Sequence, residues 1–370
     1  MAETFLLKDI FTKEMIDYLA QNIKTVYPDF KMNAFIHEVF LGFDELSFSE
    51  RAQHIALRLY DHLPKNYLVA IDIIEKSLGP VIEEEELEGY DCFYVMPLGI
   101  YVKEYGLDEF DRSMMALKEM TMRFSSEWPI RSFIQKDEKR VLDFLRIWAK
   151  DENCHIRRLV SEGTRPRLPW GMRLQKYVKD PSTVLKLLES LKNEPTRLVQ
   201  RSIANSLNDI AKDHPSHVTD FLNRWKKEKV KDIHWIVSHA CRSLIKEGNL
   251  EAMKLMGYKA DVKIKELTLV LHQEQINLGE TLEFTLCFEL EEKSSLIIDY
   301  ILYFKKANGS LKAKVFKISS KSFAEGKVKI RKKHLLKKIT TRQYYEGVQA
   351  IALQINGKVY APKKEFFLKL

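Results

Sequence analysis

Near Gly257 the spacing of the apolar residues changes, and that change limits what the chain can fold into. Before it they recur at helical spacing: Val141, Leu142, Leu145, Trp148 and Ala149 form one stripe, and Val184, Leu185, Leu187, Leu188 and Leu191 another. After it they alternate, as in Leu282, Phe284, Leu286, Phe288 and Leu290, or in Val348, Ala350 and Ala352 set against Ile351, Leu353 and Ile355. A 3.6-residue period buries one stripe of a helix, and a two-residue period buries one face of a strand. The expected division is a helical domain over residues 1–257 and an all-β domain over 258–370, a plausible split for 370 residues.

The two helical stripes superimpose at an offset of 43 residues without a gap. Ile156 then falls on Val199, Arg158 on Arg201 and Val160 on Ile203. That period lies in the range of helical-pair repeats of the HEAT and armadillo kind. A third unit echoes at 34 residues, with Asp180-Pro181-Ser182 matched by His214-Pro215-Ser216. Pro181, Pro195 and Pro215 each stand near the start of an apolar-periodic run, where a helix tolerates the missing N–H. The expected fold class is mainly α: a HEAT-like α-solenoid followed by a C-terminal all-β immunoglobulin-like sandwich. A solenoid lines its concave surface with the second helix of each pair, and the register puts Arg158, Glu162 and Arg201 there.

In the last 110 or so residues the alternating runs are broken by Asn277-Leu278-Gly279, Asn308-Gly309 and Asn356-Gly357, which are hairpin signals. About seven short strands in that length fit an immunoglobulin-like sandwich without the disulfide and central tryptophan of antibody domains.

Charge is divided unevenly. From Asp261 onward there are 21 Lys and Arg against 12 Asp and Glu, while the preceding residues hold 39 against 40, so the net +8 comes from the last third. Such a surplus favours a polyanionic partner through counterion release. Cys92, Cys154, Cys241 and Cys287 are dispersed and have no zinc-ligand spacing, which suits free thiols. His214 and His217 flank Pro215 without a third ligand, and no metal site is expected. No apolar run is long enough to span a bilayer, and the N-terminus lacks a basic segment before an apolar stretch, so a cytoplasmic protein is expected. Phosphate-binding glycine loops, HExxH and GxSxG are all absent.

The segment from Ser161 to Gly171 reads SEGTRPRLPWG and follows the helical HIRRLV. Gly163 and Pro166 break the helix, Arg165, Arg167 and Arg173 crowd a short loop, and Trp170 sits between Pro169 and Gly171. HIRRLVSEGTRPRLPWG (His155 to Gly171), FSSEWPIRSFI (Phe124 to Ile134) and RSIANSLNDIAKDHP (Arg201 to Pro215) resemble the AlkC-type DNA glycosylases, relatives of the AlkD type. The helical region with a C-terminal immunoglobulin-like domain points to AlkC rather than AlkD. The resemblance covers essentially the whole chain and implies excision of cationic methylated bases, chiefly 3-methylcytosine and 3-methyladenine, without base flipping. It also implies a monomer acting on double-stranded DNA in base excision repair, with no required cofactor and no protein partner.

Four residues match acidic and aromatic positions of those motifs: Glu127, Glu162, Trp170 and Asp209. A base methylated at N3 already carries positive charge and leaves readily. Catalysis then requires stabilising an oxocarbenium-like sugar and delivering water, for which carboxylates and an electron-rich ring are suited. On the resemblance, Glu162 and Asp209 stabilise the sugar cation or activate water, Trp170 covers the sugar or lesion, and Glu127 supports the site. Which carboxylate is the base stays open. Arg158, Arg165, Arg167, Arg173 and Arg201 are expected to bind phosphates, joined by Lys332 and Lys333 from the basic run KVKIRKKHLLKK.

Plainer readings compete with these roles. Glu162 can be a helix-end acid paired with Arg158 or Arg165, Asp209 a solvated position beside Leu207 and Ile210, Trp170 a packing residue and the basic run a solvated face. Trp128, Trp148, Trp225 and Trp235 are read as packing residues. The alternative function is a non-enzymatic solenoid that binds nucleic-acid lesions, which has no use for convergent carboxylates; a protein-binding adaptor is a third reading.

Overall fold

The computed structural model describes residues 6–83, 89–259, 261–339 and 342–370. Two compact units divide the chain: Met1–His214 with Trp225–Ala240, and Pro215–Arg224 with Cys241–Leu370. Secondary structure changes where the periodicity does, between the last helix, Leu250–Leu255, and the first strand at Ile264. Packing divides the chain earlier than texture: the short helices Arg242–Lys246 and Leu250–Leu255 belong to the strand-bearing unit.

The 43-residue register is visible in the helices. Helix Cys154–Glu162 and helix Arg197–Ala211 start 43 residues apart and pack against each other, and the latter also packs against helix Ile233–Ala240. Their shared core includes Ile156, Leu159, Val160, Val199, Ile203 and Leu207, all buried. Each such aliphatic side chain contributes about 1.5–3 kcal/mol by leaving water, which is what fixes the helices side by side. Asn153 starts the first of these helices by accepting from the amides of His155 (2.9 Å) and Ile156 (3.4 Å). Helix Glu138–Trp148 precedes it and helix Ser182–Ser190 stands at the matching place in the next pair. Among the described residues before Tyr90 stand helices such as Lys13–Val26 and Phe48–His62. Among the described residues no helix is long and apolar enough to cross a membrane.

Among the described residues eight strands follow: β1 (Ile264–Leu271), β2 (Gln275–Asn277), β3 (Thr281–Leu290), β4 (Ser294–Lys305), β5 (Leu311–Phe323), β6 (Gly326–Leu335), β7 (Gly347–Ile355) and β8 (Lys358–Lys369). They form a three-stranded sheet in the order β1-β3-β6 and a five-stranded sheet in the order β2-β8-β7-β4-β5. β2 and β8 pair in parallel, and the other pairings among the described strands are antiparallel. Phe284 from the first sheet packs with Tyr300, Leu302, Ile351 and Phe366 from the second, so the inward set of each alternating run fills one core. Asn356 and Gly357 both have positive φ, 43° and 79°, and close the β7–β8 hairpin as the Asn-Gly signal requires.

Strand geometry changes the meaning of the basic run. On β6, Lys332 lies opposite the buried Phe284 and shares its inward face, while Lys333 lies opposite Glu283 on the outer face and pairs with it at 2.5 Å. The two lysines expected to act together therefore point to opposite sides of the sheet. The outer row is Lys327, Lys329, Arg331 and Lys333, all exposed.

Candidate active site

Glu162 closes helix Cys154–Glu162 at the end where unsatisfied carbonyls disfavour a negative charge. It is nonetheless buried, at 5% exposure, because three groups answer it. Arg165 Nη1 donates to its Oε1 at 2.5 Å, Ser202 Oγ donates to its Oε2 at 2.5 Å, and Arg158 Nη2 stands 4.0 Å from Oε1. Burial alone would push the Glu162 carboxyl up, but Arg158, Arg165 and Ser202 outweigh it and hold the group below the ordinary carboxylate range.

Arg165 joins the two predicted carboxylates. Its Nε donates to Asp209 Oδ2 at 2.9 Å while its Nη1 holds Glu162, and the side chain is itself buried. Asp209 comes from helix Arg197–Ala211, is 2% exposed, and also receives Lys212 Nζ at 3.1 Å. A solvated Asp209 is therefore excluded. The helix carries Ser202, Ser206, Asn208 and Asp209 among its buried residues, so its polar side faces protein as well.

Glu127 completes the cluster. Its Oε2 accepts from Ser125 Oγ and from Arg158 Nη2, each at 2.8 Å. Its Oε1 has no protein partner among the described residues, whereas both oxygens of Glu162 and both of Asp209 are engaged. The three carboxylates are thus paired with Arg158, Arg165 and Lys212, and among the three Glu127 alone offers an oxygen without a protein partner.

Trp170 stands on the loop that also carries Arg165, with φ of 58° and 77% exposure. A left-handed backbone at a bulky residue costs roughly 1–2 kcal/mol, and here no burial of the indole offsets it. Its ring lies 6.3 Å from Phe48, at the edge of a cavity of about 210 Å³ lined in part by Met96, Ile100, Trp128 and Pro129. Reading Trp170 as a packing residue does not fit. Trp148 and Trp225 are buried as expected, but Trp235 is only half-buried, stacked on His239 at 5.0 Å and under Arg197 at 4.1 Å.

The arginines sort differently from the phosphate role expected of them. Arg165 is buried with its guanidinium committed to two acids, so it cannot reach a phosphate without releasing them. Arg158 is engaged with Glu127 and Ser125, and Arg167 forms a two-pronged pair with Asp213, both contacts at 2.9 Å. Arg173 and Arg201 are exposed.

Four residues around the carboxylates escaped the sequence reading: Ser125, Lys212, Ser202 and Arg131. Arg131 is fully buried; its Nε donates to Met172 O at 2.6 Å and its Nη1 to Gly163 O at 2.9 Å. Burial, with repulsion from Arg165, pushes its guanidinium down to about 10. A charged residue inside the apolar run Ile130 to Ile134 was the available signal.

Residues 118–244, which hold the cluster, match the family model described as DNA alkylation repair enzyme. Residues 265–369 match the model of the YhaZ C-terminal Ig-like domain. YhaZ of Bacillus subtilis (strain 168) is 33% identical over 361 residues, covering 95% of this chain and 97% of its own. The structure of Pseudomonas fluorescens alkylpurine DNA glycosylase AlkC, bound to DNA containing an abasic site analog, superimposes with a TM-score of 0.89 at 35% identity, over 99% of this chain and 100% of that one. With a relative of that identity along nearly its full length and the same fold throughout, the chain belongs to the AlkC and YhaZ branch of the DNA alkylation repair enzymes.

Proposed function

We propose that the protein is a monofunctional DNA glycosylase that hydrolyses the N-glycosidic bond of cationic alkylated bases, 3-methylcytosine and 3-methyladenine among them, without extruding the base from the helix. The observation that carries the reading is the convergence of Glu127, Glu162 and Asp209 around the guanidiniums of Arg158 and Arg165. A nucleic-acid binder gains nothing from carboxylates that bury and occupy Arg158 and Arg165, since those guanidiniums are then withheld from phosphate. The helical pairs would form a HEAT-like solenoid presenting this cluster to duplex DNA, with residues 1–257 as the glycosylase domain, 258–370 as the sandwich, and the protein acting as a monomer in the cytoplasm.

In the reaction the bond from C1′ to the base nitrogen breaks and its electron pair stays with the base, which leaves neutral because it began as a cation. Water oxygen bonds to C1′, and the proton it loses passes to a carboxylate. Glu127 is favoured for that step because its Oε1 is unoccupied and its other oxygen is anchored by Arg158. Glu162 and Asp209, oriented by Arg165, supply the negative field that stabilises the sugar cation, and Trp170 covers it. Phosphate contacts then fall to the exposed Arg173 and Arg201, to Arg158 and Arg167 where their partners yield, and to the outer face of β6. No metal or organic cofactor enters the scheme.

The test compares Glu127→Gln, Glu162→Gln and Asp209→Asn for base release and for affinity to undamaged duplex. Loss of a positioned proton acceptor should lower release in Glu127→Gln by about 10²–10⁴-fold with affinity preserved. If all three variants keep wild-type release, the site assignment is wrong.

A further inference from the structure

We infer that Arg131 is a positioning residue for this reaction: one buried guanidinium ties together both ends of the Gly163–Met172 loop, and through that loop sets Arg165 against the carboxylates and holds Trp170 outward. The inference rests on the glycosylase reading of the site.

The loop leaves helix Cys154–Glu162 at Gly163 and returns at Met172, and both of these carbonyls are acceptors of the same side chain. A planar guanidinium presents its donors in a fixed fork, so binding two carbonyls at once fixes their separation; an ammonium group has no such fork. Close approach at the loop's first residue is needed for this. A Cβ at Gly163 would stand 2.8 Å from Ile130 Cγ2, on the residue that precedes Arg131, and 2.9 Å from Leu159 O. A third tie comes from the same short stretch, where Trp128 Nε1 donates to Pro169 O at 3.4 Å.

Everything the loop carries depends on its placement. Arg165 bridges Glu162 to Asp209, Arg167 grips Asp213, and Trp170 stands in solvent on a left-handed backbone. Arg131 touches none of the carboxylates by hydrogen bond, and its Nη2 is buried without a protein partner among the described residues. Placing a full positive charge in such a position, next to Arg165, is costly unless the loop requires it. Glu127 and Asp209 attract the charge and offset part of that cost.

The experiment uses the full chain as Arg131→Lys and Arg131→Ala, each assayed well below its own melting temperature. It reads single-turnover release at saturating protein, affinity for undamaged duplex, and amide exchange of residues 163–174 against the Arg197–Ala211 helix. The expected result for both variants is release slower by about 100-fold or more, affinity within about threefold of wild type, and faster exchange confined to the loop. Guanidinium ion at non-denaturing millimolar concentration should restore part of the lost rate in Arg131→Ala, and ammonium should not. Wild-type release in Arg131→Lys, or slowed release with unchanged loop exchange, overturns the inference. Affinity, rate and exchange of the helix all failing together would make Arg131 merely structural and overturn it as well. If the wild-type protein releases no base, the functional reading fails while the exchange comparison still decides whether the loop is tethered.

Discussion

At the scale of single residues, Trp170 is exposed on a left-handed backbone, whereas Glu162 is buried and ion-paired. A glycine at position 170 would relieve the left-handed backbone at the loss of little more than the contact with Phe48, so Trp170→Gly should melt near or above the wild-type temperature while base release falls by at least about tenfold. A melting temperature that drops with activity would mean the indole is structural after all. Glu162 behaves oppositely. Replacing it by glutamine leaves Arg165 and Arg158 short of a buried partner and should cost about 3 kcal/mol or more at neutral pH. Its folded carboxyl lies below the unfolded value of 4.5, so the stability it confers is complete above that pH and is lost as pH falls through the lower folded value. Denaturant melts from pH 7 to 3 should therefore show wild type converging on Glu162→Gln at the acid end. Glu194, held low against burial by Arg157 and Thr196, adds to the same acid limb in both proteins.

At the scale of elements, Asp299 gives a test with the reverse sign. It lies on β4 between the inward Ile298 and Tyr300, on the other face of the strand, where burial pushes its carboxyl up to about 6 despite Lys317 and Lys246. The folded state thus prefers the protonated form, and the penalty is absent below the unfolded value of 3.8 and full above about 6. Asp299→Asn should raise stability at pH 7.5 by up to about 3 kcal/mol, with the gain vanishing near pH 4. A gain that persists at pH 4 would show that packing, not charge, is responsible. The elements themselves were largely legible beforehand, and particular residues show why. The ungapped register of Ile156 on Val199 and Val160 on Ile203 carried through to two helices that begin 43 residues apart, because apolar periodicity reports burial directly. Asn356-Gly357 closed its hairpin because few other residues tolerate two positive φ values in succession. The pairing of Lys332 and Lys333 was not legible as a charge run, since a strand sends neighbours to opposite faces. Arg131 and Ser202 escaped because their partners lie about 30 to 40 residues away, and no local pattern announces a long-range hydrogen bond.

At the scale of the whole molecule, the excess positive charge belongs to the last third of the chain, while the carboxylate cluster and its arginines cancel one another. Affinity and chemistry should therefore separate. Lys327→Gln combined with Lys329→Gln removes two exposed charges from the outer row of β6. It should lower the dependence of binding on log salt by up to about 2 while leaving the release rate at saturating protein unchanged. An unchanged salt slope would remove that face of the sandwich from the DNA-binding surface. The central claim is that the protein hydrolyses a glycosidic bond, and single-turnover incubation with duplex DNA bearing N3-methylated cytosine or adenine tests it most directly. Free methylated base in amounts equal to alkali-labile sites, with no strand breakage before alkali, is the predicted result; lesion-dependent binding without base release, or breakage before alkali, would contradict the claim.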